Sequence, residues 1–369
     1  MNMLRGLVLL CLLFSFGCTL PAPLVQTLPE SNLLVPLNDD ELFAVRPDGE
    51  MVAYVADGLH ILGLSDNYQQ QLTYDEPDAL IWTPDGSALV AAFREAEKTR
   101  LVRLGTSADD RPQTFVDEII TDFAWLTDGR LLAMAQVVEY VENVLQVKVS
   151  LLIWNGQWDV ERIPLYSRDY LTSYAFDKPV LHSFDLSPLK DELIYNRYLD
   201  PPFPEGQVEM VLYNLHTRQE LIVAETDNRS ARSFCSADGE NFLTSDVYGR
   251  VKLFNPWTQK DIRVWPSLGE SLQIAPLRNL FYIDGNLYLD DQLVLSLPVS
   301  ARARFSDDGE RMFVAWQRKL YLYPVYNVPE QIQFSKIEKV KLKRIRQQRS
   351  LEEISIHDYY QQRNNILNP

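Results

Sequence analysis

The sequence is poor in cysteine, histidine and glycine, and each shortage argues against a class of site. Among 369 residues there are three cysteines, four histidines and 15 glycines. Cys11 and Cys18 lie in or beside an apolar leader, which leaves Cys235 alone in the remaining chain. We therefore expect no intramolecular disulfide and no thiolate metal cluster there. The histidines match neither HExxH nor a paired metal-ligand spacing, and glycine is too sparse for phosphate-cradling loops.

Positive charge is also short. The chain has 51 acidic and 35 basic residues, a net charge of −16 and a pI of about 4.8. Such a chain repels phosphate, so we expect no nucleic-acid partner. The deficit is uneven, because the stretch from Lys336 onward holds eight basic and four acidic residues. The part of the chain before Lys336 therefore carries a net charge of about −20. This contrast marks a domain boundary.

The leader MNMLRGLVLLCLLFSFGC combines a basic Arg5 with an apolar run, Leu7 to Phe16, that is shorter than a bilayer span and typical of a signal peptide. The Gly-Cys that ends it resembles the lipobox of bacterial lipoproteins, although Ser15 stands where that family usually has leucine. The resemblance implies a signal peptide over 1–17, lipidation of Cys18 and, because Thr19 is not aspartate, sorting to the outer membrane. An ordinary secretory signal with an incidental cysteine is the alternative.

The next segment, 18–32, is proline-rich and has no helical period. Such a segment is typical of an extended tether between a lipid anchor and a folded domain. The implied location is the cell envelope, on the periplasmic side of the outer membrane.

A repeated pattern follows the tether. FAVRPDGEMVAYV, in which Asp48-Gly49 lies between two apolar runs, returns in six later and partly degenerate copies. Asp-Gly between alternating runs predicts a hairpin turn. These copies begin at Leu80, Phe123, Phe184, Ser233, Leu272 and Ala303.

Short strands at regular spacing, apolar on both faces, predict an all-β fold with radial repetition: a seven-bladed β-propeller over 33–328. The turns RPDGEMVAYV, TPDGSALVAA and SDDGERMFVA resemble the WD-repeat-like (WD40-like) blades of TolB-like propellers, which specify fold better than function. Two segments are candidates for the strand that completes the last blade, SNLLVPL near the N-terminus and EQIQFSK after the repeats. We favour the N-terminal segment.

The last segment, 329–369, has helical spacing and predicts a short C-terminal α-helical hairpin. Ser355 and Asp358 have the spacing of a capping box for its second helix. Ile354-Ser355, Asp358-Tyr359 and Ile366-Leu367 resemble the SHOCT-like short C-terminal domain of bacterial proteins, which implies association, including self-association. The basic run Lys336 to Arg349 has three interpretations: contact with anionic lipid, docking on the acidic propeller, or a solvated helix face.

No catalytic constellation emerges from these motifs. There is no Gly-x-Ser-x-Gly elbow, no calcium-loop spacing and no second domain for a hydrolase. We therefore predict a protein that is not an enzyme, uses no cofactor or metal, and acts as an interaction scaffold for other envelope proteins. Two alternatives remain: a propeller that binds a small molecule or catalyses in its central channel, and a structural subunit of an outer-membrane assembly.

Three enlarged connections predict where a partner binds. Val137–Gln146, Leu199–Gln207 and Pro164–His182 should gather on one rim of the propeller, opposite the Asp-Gly turns, because they occupy equivalent places between strands. Acidic residues accompany the aromatic ones on these connections: Glu139, Glu142, Asp169, Asp177, Asp200 and Glu205. Aromatic side chains anchor interfaces. The predicted partner-binding residues are Tyr140, Tyr166, Tyr170, Tyr174, Phe176 and Phe203.

Overall fold

The computed structural model describes residues 33–324 and residue 362, with gaps at 67, 96–97, 107–112, 127, 142–143, 155–158, 172–183, 188–191, 199–207, 227–233, 236–240, 246–249, 256–257, 259, 268–270, 275–279, 290–291 and 307–310. Its elements are 27 β-strands, β1 to β27. The predicted all-β class is thereby confirmed. The segments 1–17 and 18–32, and the helical hairpin predicted over 329–369 apart from residue 362, lie outside the described residues.

The strands form antiparallel sheets, numbered here in chain order. The first sheet has the order β2-β3-β4-β5, with bounds Phe43–Val45, Met51–Val55, Leu59–Gly63 and Gln69–Thr73. The second has seven strands, β6 to β12, with bounds Ala79–Trp82, Ala88–Arg94, Thr99–Gly105, Gln113–Trp125, Leu131–Val141, Val144–Trp154 and Val160–Leu171.

The third sheet, β13 to β16, has bounds Phe184–Leu186, Glu192–Tyr198, Val208–Asn214 and Glu220–Thr226. The fourth, β17 to β20, has bounds Phe234–Cys235, Phe242–Ser245, Val251–Asn255 and Lys260–Trp265. The fifth, β21 to β24, has bounds Leu272–Ile274, Leu280–Ile283, Asn286–Leu289 and Gln292–Ser296. The sixth has the order β1-β27-β26-β25, where β25, β26, β27 and β1 are Arg302–Phe305, Arg311–Trp316, Lys319–Pro324 and Leu33–Pro36.

The Asp-Gly pairs that the structure describes lie at hairpin turns, as predicted. Three of these turns, here called the corners, are Arg46–Gly49, Thr83–Gly86 and Leu126–Gly129, and in each the glycine amide donates to the carbonyl of the first residue. Each glycine has a positive φ, between 71° and 87°, whereas the aspartates do not. Each aspartate carboxylate instead accepts the amide two residues later, as in an Asx turn.

The first two corners touch each other, and the first also approaches the sixth sheet. A Cβ atom on Gly49 would lie 2.8 Å from the Cβ atom of Ser306, at the end of the sixth sheet, and one on Gly86 would lie 3.0 Å from the Arg46 side chain. Glycine therefore serves two needs at these positions: the left-handed backbone and the close approach of the next sheet.

The hydrophobic core is divided among the sheets. Within the described residues, seven buried clusters each join two successive groups of strands, and one of them joins the sixth sheet to the first. One cluster packs β7 and β8 against β10 and β11, on opposite sides of β9 in the same sheet. The seven-stranded sheet therefore folds over at β9, so that its two halves pack face to face.

The strand β9 explains how one sheet supplies two packed halves. Gln113–Glu118 pairs with β8, and Ile119–Trp125 pairs with β10. The buried Thr99 hydroxyl accepts the amide of Ile120 and donates to its carbonyl, which satisfies the backbone where β9 changes partner.

The N-terminal strand joins the sixth sheet. β1 pairs antiparallel with β27, from Leu33↔Tyr321 to Pro36↔Lys319, so the pairing favoured for SNLLVPL is confirmed. Val35 is 7% exposed, and a bulge after Leu33 leaves that residue 39% exposed. No helix among the described residues has the length and apolar character needed to cross a membrane.

Candidate interaction site

The largest irregularity of the described fold is an extension of the second sheet. β10 pairs with β11 over its whole length, to Val141↔Val144, and β11 continues to pair with β12 to Val144↔Leu171. β9, in contrast, pairs with β10 only as far as Gln136. Residues 137–141, 144–148 and 167–171 therefore extend beyond the rest of the sheet as a three-stranded arm about 17 Å long.

Our prediction of enlarged loops was wrong for two of the three connections, which contain strand residues. Val137–Gln146 consists of strand residues on both sides of a two-residue link, and Pro164–Leu171 belongs to β12. The physical reason is that these segments satisfy their backbone groups in a strand ladder, and that Leu145–Val149 alternates apolar and polar residues. The rest of Pro164–His182 and all of Leu199–Gln207 lie outside the described residues.

One face of the arm carries paired polar side chains, and the register places Val137, Val141 and Val144 on the same face. Lys148 Nζ lies 2.7 Å from Glu139 Oε2, and Gln146 Nε2 donates to Asp169 Oδ1 at 2.8 Å. These exposed cross-strand pairs each stabilise a sheet by only about 0.2–1 kcal/mol. These four polar side chains are therefore satisfied by one another.

The other face of the arm carries apolar and aromatic residues together with the exposed Arg168, which lies opposite Val147, and it continues into the core. Val138 and Tyr166 pack against the buried cluster between the second and third sheets, which includes Val147. Further along the same face, the register places Tyr140, Leu145 and Tyr170 in one row across the three strands. Tyr140 is 73% exposed. The face therefore changes from core to solvent-exposed aromatic surface along its length.

The predicted partner-binding residues thus separate into three groups. Tyr140 is exposed near the arm tip, whereas Tyr166 is half-buried and stacks on Tyr195 with ring centroids 6.3 Å apart. Tyr170 occupies the register row of Tyr140 in the backbone ladder. The remaining three, Tyr174, Phe176 and Phe203, lie outside the described residues, as does the predicted lipidation site Cys18.

Sequence reasoning missed a charged network beside Tyr166. The Tyr195 hydroxyl donates to Glu220 Oε1 at 2.9 Å, and Arg197 donates to Glu220 Oε2 at 2.7 Å and to Glu209 Oε2 at 2.8 Å. Burial, with the nearby Glu220 charge, raises the pKa of Tyr195 far above its ordinary value, so the phenol remains a donor. The side chains of Arg197 and Glu209 are only 15% and 11% exposed, so the network fixes the sheet that supports Tyr166.

Two observations concern the alternative that the protein binds a small molecule or catalyses a reaction in a central channel. Asp122, on β9, has its carboxylate oxygens on the amides of Phe123 and Phe184, so this carboxylate holds the start of β13 in place. No group of three or more histidine, cysteine, aspartate or glutamate side chains suited to a metal occurs in the part of the chain that the structure describes.

A cavity of about 260 Å³ lies between the second and third sheets at the corner end. Ligand pockets typically measure roughly 300–1,000 Å³. Its floor includes Leu126, Ile153 and Ile163, and at its rim Arg218 is paired with Glu161 at 2.7 Å. The cavity is therefore smaller than usual, and two of its charged groups already neutralise each other.

Comparisons with known proteins assign the chain to no family. No protein-family model matches the chain, and a search of curated proteins finds no significant match. The resemblances to bacterial lipoproteins, TolB-like blades and SHOCT-like domains therefore remain predictions from sequence motifs.

Proposed function

We propose that the sheets assemble into a seven-bladed β-propeller. If the two halves of the second sheet count as blades that share β9, the described strands form seven four-stranded blades. The seven clusters between successive groups of strands support this count, since each blade of a ring packs against two neighbours. Completion of the last blade by β1 would fasten the ring, because strands from both ends of the chain then share one blade.

The proposed setting is the cell envelope, with the propeller held at the outer membrane by a lipid on Cys18 and facing the periplasm. The leader 1–17 and the proline-rich segment 18–32 support this proposal by their sequence alone. In the same way, the helical spacing of 329–369 supports a hairpin that associates with other proteins or with a second copy.

We propose that the protein is a non-catalytic interaction scaffold whose partner binds the aromatic face of the arm. The observation that carries this proposal is the exposed Tyr140, in register with Tyr170 at the end of a face whose other end is buried. Tyrosine is enriched among residues that dominate binding energy, because it buries a large area with little loss of side-chain freedom. Among the described strands, none pairs with β10 on its β9 side beyond Gln136, so a partner strand would find hydrogen-bonding groups there.

The test compares two tyrosines in otherwise identical cells. Tyr140→Ser should weaken recovery of crosslinked partners at least about tenfold, the effect of removing a binding hot spot. Tyr74→Ser is the matched control, since Tyr74 is 84% exposed and lies between the first and second sheets. Both changes should leave stability within about 0.5 kcal/mol of the parent. Identical partner lists for the two variants would refute the assignment of the arm.

A further inference from the structure

The outer edges of the described sheets are protected against pairing with a further strand. A β-bulge on an edge strand interrupts its row of free hydrogen-bonding groups and twists it away from a partner. In five sheets the register shifts by one extra residue on the last strand, and β1 has the same irregularity against β27. The bulged last strands are β5, β12, β16, β20 and β24. These outer edges therefore present interrupted ladders to a partner.

The β10 edge of the arm lacks such protection. β10 pairs with β11 throughout without a register shift, and residues 137–141 are β-branched or aromatic apart from Glu139. They include no proline, lysine or arginine, the residues with which natural edge strands prevent pairing. Among the described strands none covers this edge, since β9 leaves β10 at Gln136 and pairs with β8 from Glu118. The arm therefore presents a regular, mainly apolar strand edge.

Alternation along β10 identifies the backbone groups that this edge offers. Val141 and Val144 flank a link of two residues, so they form the hydrogen-bonded pair that closes such a hairpin. Backbone groups alternate between the two sides of a strand, so Val138 and Tyr140 direct their N–H and C=O groups to the free edge. The side chains of the same two residues lie on the aromatic face, where Val138 packs against the core and Tyr140 is 73% exposed. An added strand would therefore gain backbone hydrogen bonds and aromatic contact from the same residues.

The base of this edge holds an acceptor without a donor. Gln136 is 2% exposed and lies on the same face as Val138 and Tyr140, and its side-chain carbonyl accepts no hydrogen bond in the part of the chain that the structure describes. Buried polar groups are normally hydrogen-bonded, so this oxygen marks a place where a partner is missing. A strand added along the edge ends next to Gln136, because β9 occupies the edge from there on. A donor in the last side chain of that strand would satisfy the oxygen.

Charge favours a segment with basic residues over a second copy of the chain. Residues 33–324 contain 26 basic and 45 acidic side chains, a net charge of −19. Two such bodies repel each other, whereas a basic segment is attracted from a distance. Next to the edge, Glu139 is already paired with Lys148, so this side of the segment needs no charge of its own.

We propose that the partner of the arm supplies an extended segment that adds to the free edge of β10, over residues 137–141, as an antiparallel strand. The segment carries apolar or aromatic residues on the side of Tyr140, a small polar residue beside Glu139 and basic residues at its ends. This proposal rests on the proposed scaffold function and deepens it by naming how the partner binds. The added strand extends the arm from three strands to four and leaves its Glu139 side facing solvent.

A peptide probe tests strand addition to the purified full chain by fluorescence anisotropy. The labelled peptide Lys-Thr-Tyr-Ser-Val-Thr-Lys places its Tyr and Val on the Tyr140 side, its Ser beside Glu139 and a lysine at the end next to Gln136. N-methylation of its Tyr and Val, whose N–H groups face β10, should weaken binding at least about tenfold, because two ladder hydrogen bonds are lost. N-methylation of its two Thr residues, whose N–H groups face away from β10, is the matched control and should leave binding unchanged.

Three results with the probe would overturn strand addition. They are no binding up to about 1 mM, equal weakening by the two methylation patterns, and dimerisation of the chain that removes probe binding. The last result would assign the β10 edge to a second copy.

The partner itself is tested in living cells. Replacement of Tyr140 by its α-hydroxy acid analogue turns one edge amide into an ester and retains the aromatic ring. Recovery of crosslinked partners should fall about threefold or more, and the same replacement at the exposed Tyr74 is the control. Loss with Tyr140→Ser but not with the analogue would overturn strand addition and leave the scaffold proposal standing. Loss with neither would refute the scaffold proposal.

Discussion

Substitution of Val35 by alanine tests whether β1 is an integral part of the core. Val35 is 7% exposed and packs in one cluster with residues of the first and sixth sheets, including Phe43 and the fully buried Phe313. The change removes two carbons, worth about 1.6 kcal/mol of lost burial at roughly 0.8 kcal/mol per methylene. The cavity adds to this, so we expect about 1.5–2.5 kcal/mol in total.

The assay is equilibrium unfolding in urea of the parent, Val35→Ala and Leu33→Ala. Leu33 is the matched control, because it lies in the same strand but is 39% exposed, and its truncation should cost less than about 1 kcal/mol. An equal loss for the two variants, or no loss for Val35→Ala, would refute the packing of β1 between the last and first sheets. Unchanged slopes in urea are required, since a changed slope would indicate that the variant no longer unfolds in one step.

Three further predictions concern a corner, a turn carboxylate and the buried network. Gly49→Ala should destabilise the protein by about 1–3 kcal/mol, because alanine strains the left-handed backbone and its Cβ meets Ser306. Unfolding of the double variant Gly49→Ala with Ser306→Gly should show recovery of the steric cost but not of the backbone cost. Burial would raise the pKa of Asp85, but hydrogen bonds from Thr83 and Ser87 lower it below its ordinary 3.8. The ionised carboxylate therefore adds to the free energy of unfolding above about pH 4, and this contribution is lost as the pH falls through the lowered pKa. Unfolding measured at a series of acidic pH values should show the parent losing its stability advantage over Asp85→Asn. Arg197→Met should cost about 3 kcal/mol in urea unfolding, because it strands the buried Glu209 charge, and a loss below 1 kcal/mol would contradict the network.

The regular part of the fold was accessible from sequence because it depends on local chemistry. Asp48-Gly49 and its copies mark the corners, since glycine alone supplies the positive φ and aspartate caps the following amide. SNLLVPL was otherwise unpaired in the predicted repeat pattern, which favoured its role as the added strand. These features need only neighbouring residues to be recognised.

The arm and the charged network depend on pairing between distant strands, which one sequence expresses weakly. We predicted loops at Val137–Gln146 because the repeat suggested short strands, although alternation in Val138, Tyr140 and Val147, Val149 already indicated a longer ladder. β9 carries no glycine or proline between its two halves, so nothing in the sequence marks the point where it changes partner. Arg197, Glu209 and Glu220 lie on three strands, and no short motif reveals their contact.

The most direct test of the scaffold proposal is photo-crosslinking from single positions of the arm in living cells. A photoreactive residue at position 140, on the aromatic face, should yield a discrete protein adduct, because the partner is proposed to cover that face. The same residue at position 139, one step along β10 but on the paired polar face, should not. Equal crosslinking from the two positions, or none from position 140, would contradict the proposed use of the arm.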